Sequence, residues 1–228
     1  MALEAEFQYL FRQMSVLAWL GHFAAIAVFG VGVPLRQGLD FLDVMFLLAY
    51  ACLPCLFASP LVADSVVSRK PVPARAGFVA QVLTPFLFAV FWSEVILLSA
   101  IITVNASNWF GRVIFPPRAI FWNAVLFSVA ATFFASSITG WLSLNAKTAS
   151  AAKSQARRLF LMLLVVVLMY TRFSPPQYRR QIEDLLTPDR ISTLLVPVSV
   201  VLAGIGYAVM VMGAKRREEE ASGPIFKL

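Results

Sequence analysis

Residues 78–104 read FVAQVLTPFLFAVFWSEVILLSAIITV, a run interrupted by one ionisable side chain, Glu94. A bilayer core about 30 Å thick demands about 20 consecutive apolar residues of a helix, and this run exceeds that length. The whole chain agrees with it. Of 228 residues, 60% are hydrophobic and only 14% charged, with a mean hydropathy of +0.79. A soluble domain has about one quarter of its residues charged, so the chain reads as an all-α integral membrane protein.

Immediately before this run lies Val66-Val67-Ser68-Arg69-Lys70-Pro71-Val72-Pro73-Ala74-Arg75-Ala76-Gly77, a short basic stretch marked by prolines. Two spans are predicted ahead of it. The first covers about Ser15 to Val33 and ends at Pro34 and Arg36. The second covers about Phe41 to Ala63, with Pro54 and Pro60 predicting a bend that neighbouring helices make tolerable. Four spans follow: Phe78 to Val104, Ala119 to Leu142, a short fifth at Leu159 to Phe173, and Ser192 to Met212. The fifth is about 22 Å long at the helical rise and crosses only if flanking arginines snorkel or the bilayer thins. Ala-rich residues 145–158 are predicted to extend it as helix beyond the membrane.

The amino-terminal stretch places Leu3, Phe7, Leu10, Phe11 and Met14 at helical spacing, with Glu4, Gln8 and Arg12 elsewhere. This is the pattern of an amphipathic helix on a membrane surface; a water-exposed extension of the first span is the alternative. The start lacks the basic region and cleavage site of a signal peptide, so the first span is expected to be retained. After Pro175-Pro176, residues 177–186 form a second amphipathic piece, re-entrant or on the surface. The organisation is therefore an interfacial helix at 1–14, a six-span domain at 15–212 and a cytoplasmic tail at 213–228.

The net charge of +7 does not require nucleic acid as a partner, because the basic residues sit between spans. With both termini inside, Arg12, Arg69, Lys70, Arg75, Lys147, Lys153, Arg157, Arg158, Lys215, Arg216, Arg217 and Lys227 face the cytoplasm, 12 of the 19 basic residues. The positive-inside rule favours that orientation.

Chemistry-bearing motifs are sparse. The chain lacks a phosphate loop ending in Gly-Lys-Ser/Thr, a His-Glu-x-x-His motif and a Ser/His/Asp set. With His22 as its one histidine, bis-histidine haem ligation within the chain is impossible. No metal or cofactor is expected here. Cys52 and Cys55 have redox-pair spacing, but no basic residue lies near them in sequence and apolar burial disfavours a thiolate; packing thiols are the favoured reading. Asn105-Ala106-Ser107 matches a glycosylation acceptor close to the membrane. Glu94 and His22 are the intramembrane ionisable residues, functional candidates because their burial is costly. Glu94 can carry a proton or a cationic substrate, or hydrogen-bond a hydroxyl on a neighbouring helix. His22 can also lie at the interface.

Six spans, a surface helix before the first, both termini inside and a nearly bare outer face resemble the permease subunits of ABC-type transporters, of the type-2 export class. Members often carry a cytoplasmic loop with a Pro-Val-Ser-Arg-like stretch leading into the third span. Pro71-Val72-Pro73-Ala74-Arg75-Ala76-Gly77-Phe78-Val79-Ala80-Gln81 is similar. Residues 143–158 look like the family's polar, alanine-rich turn, and residues 175–190 resemble its outer half-helices. The prolines at 71 and 73 depart from the pattern, and Asp64 stands where an acidic residue often precedes the loop's helix.

The resemblance implies a subunit without its own ATPase motif, paired with a second permease copy or a related permease and with separate ATP-binding subunits that hold ATP and Mg. Ser68, Arg69, Lys70, Pro71 and Arg75 would receive the push from those subunits. The cargo would be amphipathic or lipid-like, exported across a bacterial inner membrane. The rival readings are a non-catalytic subunit scaffolding a larger energy-transducing complex, a thiol-redox enzyme using Cys52 and Cys55, and a proton-coupled transporter using Glu94. No inverted repeat between the two halves supports the last.

Overall fold

The computed structural model describes residues 2–38, 44–68, 75–107, 113–173 and 188–221. Among them the chain is helical, without strands. The order is α1 (Ala2–Gln13), α2 (Val16–Ala25), a π-helical segment (Ile26–Gly32), α3 (Val33–Gln37), α4 (Val44–Ser68), α5 (Arg75–Ser107), α6 (Arg118–Leu144), α7 (Ala149–Phe173) and α8 (Pro188–Ala221). Among the described residues five stretches are long and apolar enough to cross a membrane: Trp19–Gln37, Tyr50–Val67, Ala76–Ser107, Arg118–Ser143 and Thr193–Glu220. The protein is a multi-pass membrane protein. The fifth apolar segment expected from the sequence lies in α7, which is not among those five. The amphipathic piece expected at residues 177–186 lies outside the described residues.

Packing fixes the direction of each helix. Val62 and Val66 near the end of α4 meet Phe78 and Val82 near the start of α5, with Met210 and Ala214 of α8 completing that core. A second core, at the other end of the bundle, joins Tyr50 of α4 to Ile96, Ala100 and Val104 of α5 and to Ala124 of α6. Helices α4 and α5 are therefore antiparallel. Leu195 packs on Ile120 and Phe127, while Leu144 comes close to Gly213, so α6 and α8 run parallel. The end holding the close of α4 and the start of α5, which flank the basic stretch, is called the basic end below.

The first span continues through Pro34 to Gln37 rather than stopping at Val33, and its neighbours explain why. Proline has no N–H to donate, so in a helix it leaves a carbonyl of the preceding turn without its ladder partner. The span meets Pro34 in π-helical geometry, where Val33 N–H bonds to Val28 O. In that five-residue ladder the carbonyl deprived by Pro34 is that of Phe29. Tyr50 of α4 donates its hydroxyl to Phe29 O, and Thr103 of α5 donates to Gly30 O at 3.0 Å. Close approach is possible because Gly30 has no side chain; a Cβ there would sit 3.0 Å from Ser99 Cβ.

A prediction follows from this exchange of partners. Tyr50→Phe should lower the unfolding free energy in detergent by about 1 kcal/mol, the usual size of an interhelical hydrogen bond in a membrane. In a Pro34→Ala background the same change should cost much less, because the restored N–H at position 34 serves Phe29 O. A double-mutant cycle on thermal unfolding measures the coupling; additive effects would remove the exchange.

Helix α6 occupies the middle of the bundle, packed on α4, α5 and α8. It buries Ser128, Thr132, Ala135, Ser136, Thr139, Gly140 and Ser143, the small face that the sequence marks out as a helix interface. Polar burial is tolerable partly because hydroxyls return to their own helix. Thr132 bonds Ser128 O at 2.7 Å and Ser143 bonds Thr139 O at 2.6 Å.

Candidate functional site

The basic end gathers most of the groups that the sequence marks as interesting. Helix α4 closes at Ser68 and α5 opens at Arg75; of the expected coupling residues, Arg69, Lys70 and Pro71 lie outside the described residues. What flanks them is firmly braced. The last carbonyls of a helix lack ladder partners and carry its negative dipole end. Val66 O, one of these, accepts from Arg217 Nη2 at 3.5 Å, a long bond from the far end of α8. Asp64 Oδ2 lies 2.7 Å from Lys153 Nζ, tying α4 to the start of α7. Both side chains are partly exposed, so the pair adds little stability, but it fixes which turn of α7 meets α4. Buried Ala152 and Ala156 let α7 approach, and Thr148 caps its start by accepting from Ala151 N–H at 3.2 Å.

Helix α1 docks on this same end. Leu10, on the apolar stripe, is buried against the bundle, and so is Glu6, at 5% exposure. Phe11 stacks on Trp19 at 5.7 Å and meets Phe88 edge-on at 5.8 Å. Aromatic pairs at such spacings add to simple burial, and these hold α1 against α2 and α5. Between α1, α4 and α5 lies a cavity of about 310 Å³ lined by Glu6, Tyr9, Leu10, Met14, Ser15, Leu61, Asp64, Ser65, Thr84 and Pro85.

The two intramembrane candidates sit apart. His22 is packed among rings, 5.4 Å from Phe88, 5.4 Å from Trp92 and 5.8 Å from Phe57 between centroids. Its place is in the wall that fixes α2 to α4 and α5. Glu94 instead borders a recess of about 10 Å³ between α4, α5 and α6, with Tyr50, Ser93, Leu97, Ala124 and Ser128. That is close to the space one water needs. Among the described residues the Glu94 carboxylate makes no hydrogen bond or ion pair. The neighbouring-helix hydroxyl expected for it is present on Ser128, whose Oγ is buried and likewise without a partner.

The remaining motifs are occupied by structure. Cys55 Sγ lies 3.7 Å from Thr132 Oγ1, and both cysteines are free thiols. The Asn105 amide donates to Ile101 O and Ile114 O, each at 2.9 Å, while its Oδ1 accepts from Ile114 N–H at 2.6 Å. It ties the chain leaving α5 to the segment entering α6, and both of its N–H groups are spent on that tie, which leaves none for a glycan. No group of three or more His, Cys, Asp or Glu side chains able to hold a metal occurs among the described residues.

Sequence reasoning missed the burial of Glu6 and the cavity beside it. A signal existed in the spacing, since Glu6 and Leu10 are four residues apart and share a helix face. No protein-family model, curated protein or solved structure matches this chain.

Proposed function

We propose that the chain is the membrane-spanning permease subunit of an ATP-driven exporter of the type-2 ABC class, moving an amphipathic or lipid-like cargo and working with separate ATP-binding subunits. The observation that carries this reading is the bracing around residues 69–74. The ends of α4 and α5 that flank them share one core with α8, and α7 is tied to α4 through Lys153 and Asp64. A push on that stretch would therefore pass into four helices at once. A loop serving only to hold topogenic charge needs no such bracing.

Chain direction supports six crossings with both termini on one side. Helix α7 starts at the basic end, where Lys153 meets Asp64. Helix α8 starts at the opposite end, where Leu195 meets Ile120. The chain between them has to cross, and α7, with 25 residues, is about 37 Å long at the helical rise. Helix α1 and the end of α8 both lie at the basic end, as an even number of crossings requires. The positive-inside rule favours that end as the cytoplasmic one, in the bacterial inner membrane that the resemblance to ABC-type permeases implies.

Gentle extraction of the tagged chain tests the reading directly. A stoichiometric partner bearing a phosphate-binding loop is the expected result, and its ATPase should respond to lipid-like cargo. In that complex Lys153→Glu should uncouple ATPase from transport, and the paired reversal with Asp64→Lys should restore much of the coupling, while thermal stability shifts by only about 0–1 kcal/mol. Redox or pigment-bearing partners without an ATPase would instead make the chain a scaffold of an energy-transducing assembly.

A further inference from the structure

Helix α5 carries a stripe of exposed apolar side chains, Leu87, Phe91, Leu98 and Ile102. Their spacing keeps them on one face of the helix, and in a membrane that face meets lipid. Glu94 comes one turn after Phe91 and one turn before Leu98, so it stands at the edge of the stripe, half-buried. On its inner side is the recess between α4, α5 and α6. The Glu94 carboxyl has no hydrogen bond or ion pair among the described residues, and no Lys, Arg or His lines the recess. In this Glu94 differs from the carboxyls nearer the helix ends. Asp64 is paired with Lys153 and Glu220 with Arg216, and Glu6 has an interaction of its own.

Ser128 closes the recess from α6. It is 2% exposed, and its Oγ lacks a partner. Thr84, Ser136, Ser137 and Thr139 also bury hydroxyls without partners; Ser128 differs in sharing its recess with a carboxyl in the same state. One water needs about 10–15 Å³ and at least two polar partners. The recess has about 10 Å³, with the carboxyl on one side and the hydroxyl on the other. Tyr50 is the other titratable group in its lining, and its hydroxyl is spent on Phe29 O. Cys55 of α4 faces Thr132. The π-helical segment beside α5 brings no titratable side chain, and His22 packs on Phe88 and Trp92.

From this we infer that the recess is a proton-binding site, in which Glu94 is held as the neutral acid and shares one water with Ser128. A carboxylate away from bulk water and without a cation is too costly to keep charged. The neutral acid has one O–H to donate and a carbonyl oxygen to accept. A water beside it can take the first bond and pass one to Ser128 Oγ. Hydration of the recess would release the proton, because bulk water solvates the carboxylate that the bundle does not. The site belongs to this chain alone and does not depend on an ATPase partner.

The test uses the full chain in a maltoside detergent, which has no ester carbonyl to mask the infrared band of a carboxylic acid. At pH 7 such a band is expected, and Glu94→Gln should abolish it. Ser128→Ala should move the band to higher wavenumber, since the carbonyl loses hydrogen bonding, whereas Ser136→Ala, outside the recess, should leave it in place. A second measurement needs no variant: dicyclohexylcarbodiimide, which enters from the apolar phase, should label Glu94. The acid proton passes to a reagent nitrogen and the carboxyl oxygen bonds the central carbon. Rearrangement then leaves an N-acylurea that retains the whole reagent, and its mass is found on the Glu94 peptide. Labelling should fall as pH is raised, because the ionised carboxylate has no proton to give. Absence of both the acid band and the label at pH 7 would overturn the proton site. A band that Ser128→Ala does not shift would overturn the water shared with Ser128.

Discussion

Gly140→Val is expected to destabilise the protein by about 2–3 kcal/mol, at the upper end of what an overpacked core costs. A Cβ on Gly140 would sit 2.7 Å from Val82 Cγ2, 3.4 Å from Phe78 Cζ and 3.6 Å from Val62 Cγ1. The first of these atoms belongs to a short, branched, fully buried side chain that cannot swing aside. Helices α5 and α6 would have to separate, and the same core holds α4 and α8. Gly204 of α8 is the control, since nothing lies within 4 Å of a Cβ placed there. Gly204→Ala should be neutral or stabilising by up to about 1 kcal/mol through helix propensity, whereas Gly140→Ala, with the same propensity gain, should still lose stability. Denaturant titration of the three variants in mixed micelles reads the difference. Similar behaviour at positions 140 and 204 would contradict the close contact of α5 and α6.

What the sequence could and could not convey separates by range. Helix α6 was readable almost to its ends, because its small residues recur at helical spacing and its flanks are polar; 119–142 became Arg118–Leu144. The long apolar run of α5 was equally plain. The end of the first span was misplaced at Pro34, since a proline stops a helix only when nothing else satisfies the carbonyl it strands. Here Tyr50 does so from another helix, and no local pattern announces that. The same limit applied to α1, where the apolar stripe was visible and the burial of Glu6 came from docking on α5, far along the chain. At the candidate site, the cost of burial singled out Glu94 and His22, but not that one would lack partners and the other would sit among rings. Asp64 was noted as an acidic residue ahead of the basic stretch; its tie to Lys153 is a tertiary fact.

Glu94→Leu is expected to raise stability by about 1–3 kcal/mol. An acidic side chain deep in a span costs about 2.5–3.5 kcal/mol on insertion scales, and Glu94 recovers none of this through a hydrogen bond or ion pair among the described residues. Leucine is similar in size, so the wall it shares with Leu97, Ala124 and Val125 should close without a large void. Part of the gain is lost because the unfolded chain in a micelle also shelters the carboxylate. Glu94→Gln should fall between, since an amide still wants partners and the unpartnered hydroxyl of Ser128 lines the same recess. Thermal unfolding of the three proteins in one detergent gives the ranking. A destabilised leucine variant would mean that the carboxylate has a structural partner and is there to hold α5 to α6. A stabilised one that has also lost cargo movement would mean the opposite: stability is given up to keep an unsatisfied carboxyl inside the bundle, as functional sites commonly require.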